Sequence, residues 1–371
     1  MKVQLVDPSA FTPPYDRALA AALARAGAEV ELLTSEFLHG DIPPAEGYAV
    51  QERFYRRSAA RGLEARARLP FKAAEHVPDM LRLRRALDAD VVHYQWLTAP
   101  TLDALLLPRR RPRVMTAHYI LPPEASGSRA LAAHFSFGRM DAVVAHSQHS
   151  AERLREQVRL DPAKVHVIPH GAFDYLTRLP EEKPLPPELE GAEGPVILCF
   201  GLLRPYKGIE VLIEAFKQIE GAELWIVGNP RMDVEPLRSL AAAAPGRVRF
   251  VTRFVEEAEI PAIFRRADVV ALPYLDGEQS GVLYTGLAFA KPLVLSAVGG
   301  FPEVAATGAA ALVPPGDASA LTATLAALVA DEGARAELAA AAERAAAGPF
   351  SWERSAELHL RLYRDLIEAR P

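Results

Sequence analysis

Short, nearly continuous apolar runs alternate along the chain with longer segments of helical period. In the first half the runs are Val3–Val6, Val30–Leu33, Val91–Tyr94, Val114–Ala117, Ala142–Ala145 and Val165–Ile168. Between the first two, Arg17–Ala26 has the apolar spacing of a helix and stops at Gly27. Strand–helix–strand order with β-branched, uninterrupted apolar strands predicts a parallel sheet covered on both faces. Residues 176–194 hold no strand pattern; they are rich in Pro, Glu and Gly and read as a linker or crossing loop. The pattern then restarts with Val196–Phe200, Leu224–Val227, Val248–Val251, Val269–Leu272, Leu293–Leu295 and Ala311–Val313. The Ala-rich stretch 318–347 reads as helical, and Trp352–Ala369 as an amphipathic helix after a break at Gly348-Pro349. The expected organisation is a first domain over 1–175, the linker 176–194, a second domain over 195–350, and a last helix over 351–371 able to cross back to the first domain. Ligands of open parallel sheets bind at the carboxyl ends of the strands, so two such units are expected to face each other across a cleft.

Composition narrows the class. A chain of 371 residues suggests two domains with full-sized cores. Its net charge of −5, from 42 basic and 47 acidic residues, makes a nucleic-acid partner an unfavourable reading. The single cysteine, Cys199, excludes an intramolecular disulfide and a Cys-based zinc site, and fits a reducing, cytoplasmic setting. The amino terminus has no apolar signal region, and the longest apolar run, Pro195–Leu203, spans nine residues, too few to cross a bilayer. Charge is nevertheless uneven. Ten basic residues (Arg53, Arg56, Arg57, Arg61, Arg66, Arg68, Lys72, Arg82, Arg84 and Arg85) fall between 53 and 85, opposed by Glu64, Glu75 and Asp79. This segment reads as a solvated helical face, or as peripheral contact with an anionic membrane surface or an anionic acceptor.

Three loops carry candidate chemistry. Gly201-Leu202-Leu203-Arg204-Pro205-Tyr206-Lys207-Gly208 follows a buried strand and precedes a helix at Ile209. A glycine there lets backbone approach a phosphate, and Arg204 and Lys207 add two cations suited to a diphosphate; the alternative is a pair of solvated charges. In Asp276-Gly277-Glu278-Gln279-Ser280-Gly281 the Ser-Gly step begins a helix, where free N–H groups favour an anion. The plainer reading has Ser280 as an N-cap. His166-Val167-Ile168-Pro169-His170-Gly171 ends a strand in a turn just before the linker. Asp88-Ala89-Asp90 has the form of a D-x-D metal motif but precedes a strand, the wrong end of a sheet for a ligand. No His/Asp/Glu spacing resembles a metal site, and His93, His146 and His149 read equally well as structural.

In this order the loops, followed by Lys291-Pro292 and Gly299-Gly300-Phe301-Pro302-Glu303, resemble the retaining GT4 glycosyltransferases, whose fold is GT-B: α/β, with two Rossmann-like parallel-sheet domains facing across a cleft. Thr12-Pro13-Pro14-Tyr15-Asp16, Val92–Trp96, Thr116-Ala117-His118 and Ala145-His146-Ser147 extend the resemblance to the first half. It implies a nucleoside-diphosphate-sugar donor as substrate, no cofactor, no metal, and an acceptor held by the amino-terminal domain. Arg204 and Lys207 would neutralise the leaving diphosphate together with the amides of Ser280, Gly281 and Val282. His118 would lie near the transferred sugar, Asp16 near the donor phosphates, and Glu278 would contact the donor sugar. His170, Gly171, Gly201, Gln279 and Thr285 complete the implied donor site. The family's second carboxylate, eight residues after Glu278, is replaced by Gly286; aligned backward from Lys291-Pro292 the place falls on Thr285. The acidic pair is incomplete either way, which puts ribose binding by a carboxylate in question. A sugar-nucleotide epimerase of the same fold, or a non-catalytic nucleotide-sugar binder, would keep the two cations. The epimerase needs carboxylate acids and bases that are scarce here, and the binder would turn nothing over.

Overall fold

The computed structural model describes residues 1–38, 44–59, 65–108, 110–120 and 127–370. The chain divides into two compact units: unit 1 comprises Met1–Gly171 and Trp352–Pro371, and unit 2 comprises Ala172–Ser351.

Unit 1 holds a seven-stranded parallel sheet. Its strands are β1 (Lys2–Asp7), β2 (Glu29–Ser35), β3 (Ala49–Phe54), β4 (Val91–Tyr94), β5 (Arg113–Thr116), β6 (Ala142–Ala145) and β7 (Val165–Val167), in the spatial order β3-β2-β1-β4-β5-β6-β7. Val3 of β1 lies beside Val30 on one side and Val91 on the other, so β1 and β4 form the centre. The apolar runs become strands because both faces are covered: β4 and β6 are buried at every position. β3, sequence AVQERF, has no apolar run; it is an edge strand with Ala49, Val50 and Glu52 exposed, which is why hydrophobic patterning does not reveal it. The Pro13–Arg25 helix begins four residues before the expected Arg17, using Pro13 and Pro14 in its first turn, where a missing N–H costs nothing. The Trp352–Glu368 helix packs against it and buries Trp352, Ala356, His359, Leu360 and Tyr363.

Unit 2 has six parallel strands: β8 (Val196–Phe200), β9 (Glu223–Val227), β10 (Val248–Val251), β11 (Val269–Leu272), β12 (Leu293–Ser296) and β13 (Ala310–Val313), ordered β10-β9-β8-β11-β12-β13. Residues 176–194 belong to this unit. Leu189 is fully buried there, and Arg249 donates to the carbonyls of Glu188, Glu190 and Gly191. The Ala-rich stretch forms two helices, Ala318–Ala330 and Glu332–Ala347. Asp331 divides them: its backbone is extended and its carboxylate accepts from the Ala334 amide at 3.0 Å, an N-cap that starts a new helix. In each sheet the strand order reverses about one central pair, β1/β4 and β8/β11, and loops leaving such a pair at its carboxyl end are the usual seat of a ligand.

Candidate active site

In unit 2 the loops after β8 and β11 are tied together. The Leu275 amide donates to the Tyr206 carbonyl at 2.7 Å. Gly201 has φ +100°, a left-handed conformation that suits glycine, and a side chain there would meet Val282 at 3.0 Å and the Lys207 ammonium at 3.1 Å. Gly201, Lys207 and the first turn of the Gly281–Ala288 helix therefore converge on one spot. The Lys207 side chain is buried, and its ammonium lies 4.9 Å from the centre of the Tyr274 ring. Burial lowers its pKa, with the nearby positive charge of Arg204 acting in the same direction and Cys199 and Tyr206 opposing. Arg204 is exposed. Neither cation has a carboxylate partner among the described residues. A buried ammonium with no counter-ion, beside amides that no carbonyl of their own turn can satisfy, is suited to receiving an anion.

The acidic loop is shaped by its surroundings. Ser280 is the N-cap residue, yet its hydroxyl does not cap the helix; it hydrogen-bonds the Tyr274 hydroxyl at 2.9 Å. Tyr284 donates to the Gln279 side-chain carbonyl at 2.7 Å. Gly299 packs so tightly beneath the loop that a Cβ would fall 2.1 Å from the Gly277 carbonyl oxygen, and the Gly300 amide donates to the Glu278 carbonyl. The Thr285 hydroxyl donates back to the Gly281 carbonyl at 3.0 Å. At Gly286 any side chain would meet a methyl of fully buried Leu293 at 2.6 Å, so a carboxylate at that position would require the core to move.

The remaining predicted residues fall in unit 1. His118 follows β5, stacks on Trp96 with ring centres 5.3 Å apart, meets Tyr15 edge-on at 4.6 Å, and its Nε2 lies 3.1 Å from the Gln95 side-chain oxygen. His146 and His170 continue the cluster at 5.4 and 5.3 Å. Burial, reinforced by the neighbouring imidazoles, holds His118 and His170 neutral, well below the usual histidine range; burial alone brings His146 to about 4. Gly171 has no room for a side chain because the Trp352 indole lies 2.3 Å from where its Cβ would be. Asp16 is buried in the first turn of the Pro13–Arg25 helix, where burial and the Asp7 carboxylate raise its pKa well above the ordinary value. Burial thus disfavours its charged form.

Sequence reasoning missed Tyr15, Trp352 and Tyr274 as walls of these sites and Gly299 as the support of the Glu278 loop. Tyr15 and Gly299 stand inside the quoted motifs; nothing in the sequence pairs Trp352 with Gly171. His93 is structural, bonded to Tyr363 and Thr116 at 2.6 and 2.8 Å. The D-x-D segment fixes the chain start, with Asp88 on the Lys2 ammonium and Asp90 on the Lys2 amide. Among the described residues no group of three or more His, Cys, Asp or Glu side chains is placed to hold a metal, and no helix is long and apolar enough to cross a membrane. Of the basic segment, Arg61, Glu64 and the Arg66 side chain lie outside the described residues.

Residues 17–172 match the family described as Glycosyltransferase Family 4, and residues 194–331 the family described as Glycosyl transferases group 1. The chain is 29% identical to a D-inositol 3-phosphate glycosyltransferase of Xylanimonas cellulosilytica, over 96% of this chain and 92% of that protein. It is 30% identical to a phosphatidyl-myo-inositol mannosyltransferase of Mycolicibacterium smegmatis, over 93% and 89%. Among solved structures, Anabaena Alr3699/HepE in complex with UDP-glucose superposes with a TM-score of 0.73 at 21% identity, over 98% of this chain and all of that one.

Proposed function

The chain belongs to glycosyltransferase family 4 and has the GT-B fold, and from that premise we propose that it moves a sugar from a nucleoside-diphosphate sugar to a hydroxyl acceptor with retention of configuration and without a metal ion. The observation that carries the reading is Lys207, a buried ammonium with no carboxylate partner, set against Gly201 and the first turn of the Gly281–Ala288 helix. The same Lys207, Arg204 and the amides of Ser280, Gly281 and Val282 receive the donor diphosphate. The relative solved with UDP-glucose supports that donor class.

The chemistry follows from charge. Cleavage of the sugar–phosphate bond builds positive charge on the anomeric carbon and negative charge on the departing diphosphate. Fixed cations and oriented amides stabilise the second without reorganising. The departing phosphate oxygen takes the acceptor's proton on the face it leaves, so attack from that face retains configuration and needs no protein nucleophile. Glu278, Gln279 and Thr285 hold the donor's sugar and nucleoside. His118, neutral and oriented by Gln95 and Trp96, hydrogen-bonds the transferred sugar, with His170, Gly171 and Asp16 supporting its surroundings. The acceptor belongs to unit 1, whose basic segment 53–85 meets an anionic acceptor or an anionic membrane surface. The fully buried Cys199 is compatible with work in the cytoplasm.

The test is Lys207→Ala. Losing one such charge-stabilising group costs roughly 3 kcal/mol in the barrier, about a hundredfold in rate. Nucleoside-diphosphate release from a panel of UDP- and GDP-sugars should fall by that factor while the circular-dichroism spectrum is unchanged. A rate within a few-fold of the parent would overturn the assignment.

A further inference from the structure

Thr12 stands at the N-cap of the Pro13–Arg25 helix, and its hydroxyl does not cap it. A threonine at that place ordinarily takes an amide of the first turn. Here the hydroxyl accepts from the Trp96 indole Nε1 at 2.9 Å and donates to the Asp16 carboxyl at 3.3 Å. Thr12 lies in the loop leaving β1 and Trp96 in the loop leaving β4, so the bond braces the two loops where the unit 1 strand order reverses. A second brace, between the Ser9 and Thr98 hydroxyls at 2.8 Å, joins the same two loops. The Trp96 ring in turn lies within 16° of parallel to the His118 ring, with Phe11 edge-on to it at 5.4 Å. The bond from Gln95 holds one nitrogen of His118 but leaves the ring free to turn about it. The stacked indole is what fixes the plane.

The other side of the bridge is anchored as firmly. The Thr12 amide donates to Asp7 at 3.1 Å, and Asp7 also accepts the amides of Ser9 and Phe11. The Asp7 and Asp16 carboxyls lie within hydrogen-bonding reach of each other. Burial first and Asp7 second disfavour the charged form of Asp16, while the Thr12 hydroxyl and Arg17 act the other way. A first-turn carboxylate ordinarily gains from its charge at a helix N-terminus; sealed beside a second carboxyl, Asp16 forgoes that gain. Neither the uncapped Thr12 nor the buried acid pair is what helix stability alone would select. Together they give one hydroxyl two fixed partners, and hence Trp96 one position.

We propose that Thr12 is a positioning residue for the transfer reaction: anchored on Asp16, its hydroxyl holds the Trp96 indole in the plane that orients His118 toward the transferred sugar. Thr12 acts through Trp96 and not by touching either substrate. The inference rests on the glycosyltransferase reading for the task that His118 performs, but not for the bridge itself.

The test uses the full chain labelled with 5-fluorotryptophan, which gives one fluorine resonance for each of its three tryptophans. That of Trp96 is identified by its loss in Trp96→Phe. Thr12→Val, which keeps the shape and removes the hydroxyl, should shift or broaden the Trp96 resonance and leave those of Trp225 and Trp352 in place; Thr12→Ser should restore it. Asp16→Leu should repeat the effect of Thr12→Val. Asp16→Asn, whose amide can accept from Thr12 and donate to Asp7, should recover most of it. A lost hydrogen bond is worth up to about tenfold in rate, so in Thr12→Val kcat for nucleoside-diphosphate release from UDP- or GDP-sugars should fall by about that factor. The donor KM should stay within about twofold, because the loss is one of orientation and not of ground-state binding. In a His118→Ala background the same substitution should cost less than about twofold, because the two residues act in series. An unmoved Trp96 resonance, movement of all three resonances, no recovery in Thr12→Ser, or an equal loss of kcat in both backgrounds overturns the inference. The fluorine measurement needs no turnover. Absence of nucleoside-diphosphate release by the wild-type chain would count against the glycosyltransferase reading, and an unmoved Trp96 resonance against the bridge.

Discussion

At the scale of single residues, Gly201 is where the diphosphate site is most sensitive to added atoms. Gly201→Ala places a methyl 3.0 Å from Val282 and 3.1 Å from the Lys207 ammonium on a backbone with φ +100°. The strain alone is about 1–2 kcal/mol. Displacement of Lys207 should add a loss of nucleoside-diphosphate affinity of at least about tenfold, from the charge-assisted contact it disturbs. Titration calorimetry with UDP and GDP reads the second effect and chemical denaturation the first; unchanged affinity would show that Lys207 accommodates the methyl without moving. Positions of this kind were legible in the sequence because a glycine directly after an apolar strand, followed by Arg and Lys, sets close backbone approach and two cations in one loop. The raised pKa of Asp16 was not legible. It comes from burial first and then from Asp7, nine residues earlier, lying against it, and only the folded chain supplies both. Lys72 likewise reads as one charge in a basic run until its two aromatic neighbours are seen.

At the scale of elements, the apolar runs predicted twelve of the strands because parallel strands covered on both faces carry their burial in consecutive residues. The thirteenth, β3, is an exposed edge and left no such trace. Helix limits were less legible: Pro13-Pro14 extended one helix and Asp331 divided another, each through local backbone chemistry that apolar period does not report. The Trp352–Glu368 helix shows what an element contributes when its sequence partner lies far away. Its Trp352 ring is buried, fills the space against Gly171, and lies edge-on to Tyr15 with ring centres 5.2 Å apart. Trp352→Ala should destabilise unit 1 by about 3–5 kcal/mol. Hydrogen exchange resolved by peptide should show the loss of protection in residues 1–171 and 352–370, with residues 172–351 unchanged; uniform loss would mean that the helix does not belong to unit 1 alone.

At the scale of the whole molecule, the ten histidines are distributed unequally: all lie in residues 1–171 or 352–371 and none in 172–351. Burial depresses six of them, and His146 and His359 titrate near 4 in the folded chain. A histidine whose folded pKa is depressed leaves the unfolded chain binding more protons below about 6.5, so stability falls as the pH drops from there to about 4. For His146 and His359 the loss approaches about 3 kcal/mol each at the lower limit. Asp7 and Asp16, with raised pKa values, act in the opposite sense but are only two. In unit 2 the depressed carboxylates Glu223 and Glu259 lose their contribution only as the pH falls through the carboxylate range. Scanning calorimetry from pH 7 to about 4.5 should therefore show unit 1 melting progressively earlier than unit 2; parallel shifts of both would contradict the histidine assignment. The segment that ends unit 1 also sets an order of assembly. Trp352 and the helix behind it follow residues 172–351 in the chain, so unit 1 is completed only after the whole of unit 2 has been synthesised. From the synthesis of Gly171 until that of Trp352, the apolar space beside Gly171 waits for the indole that closes it.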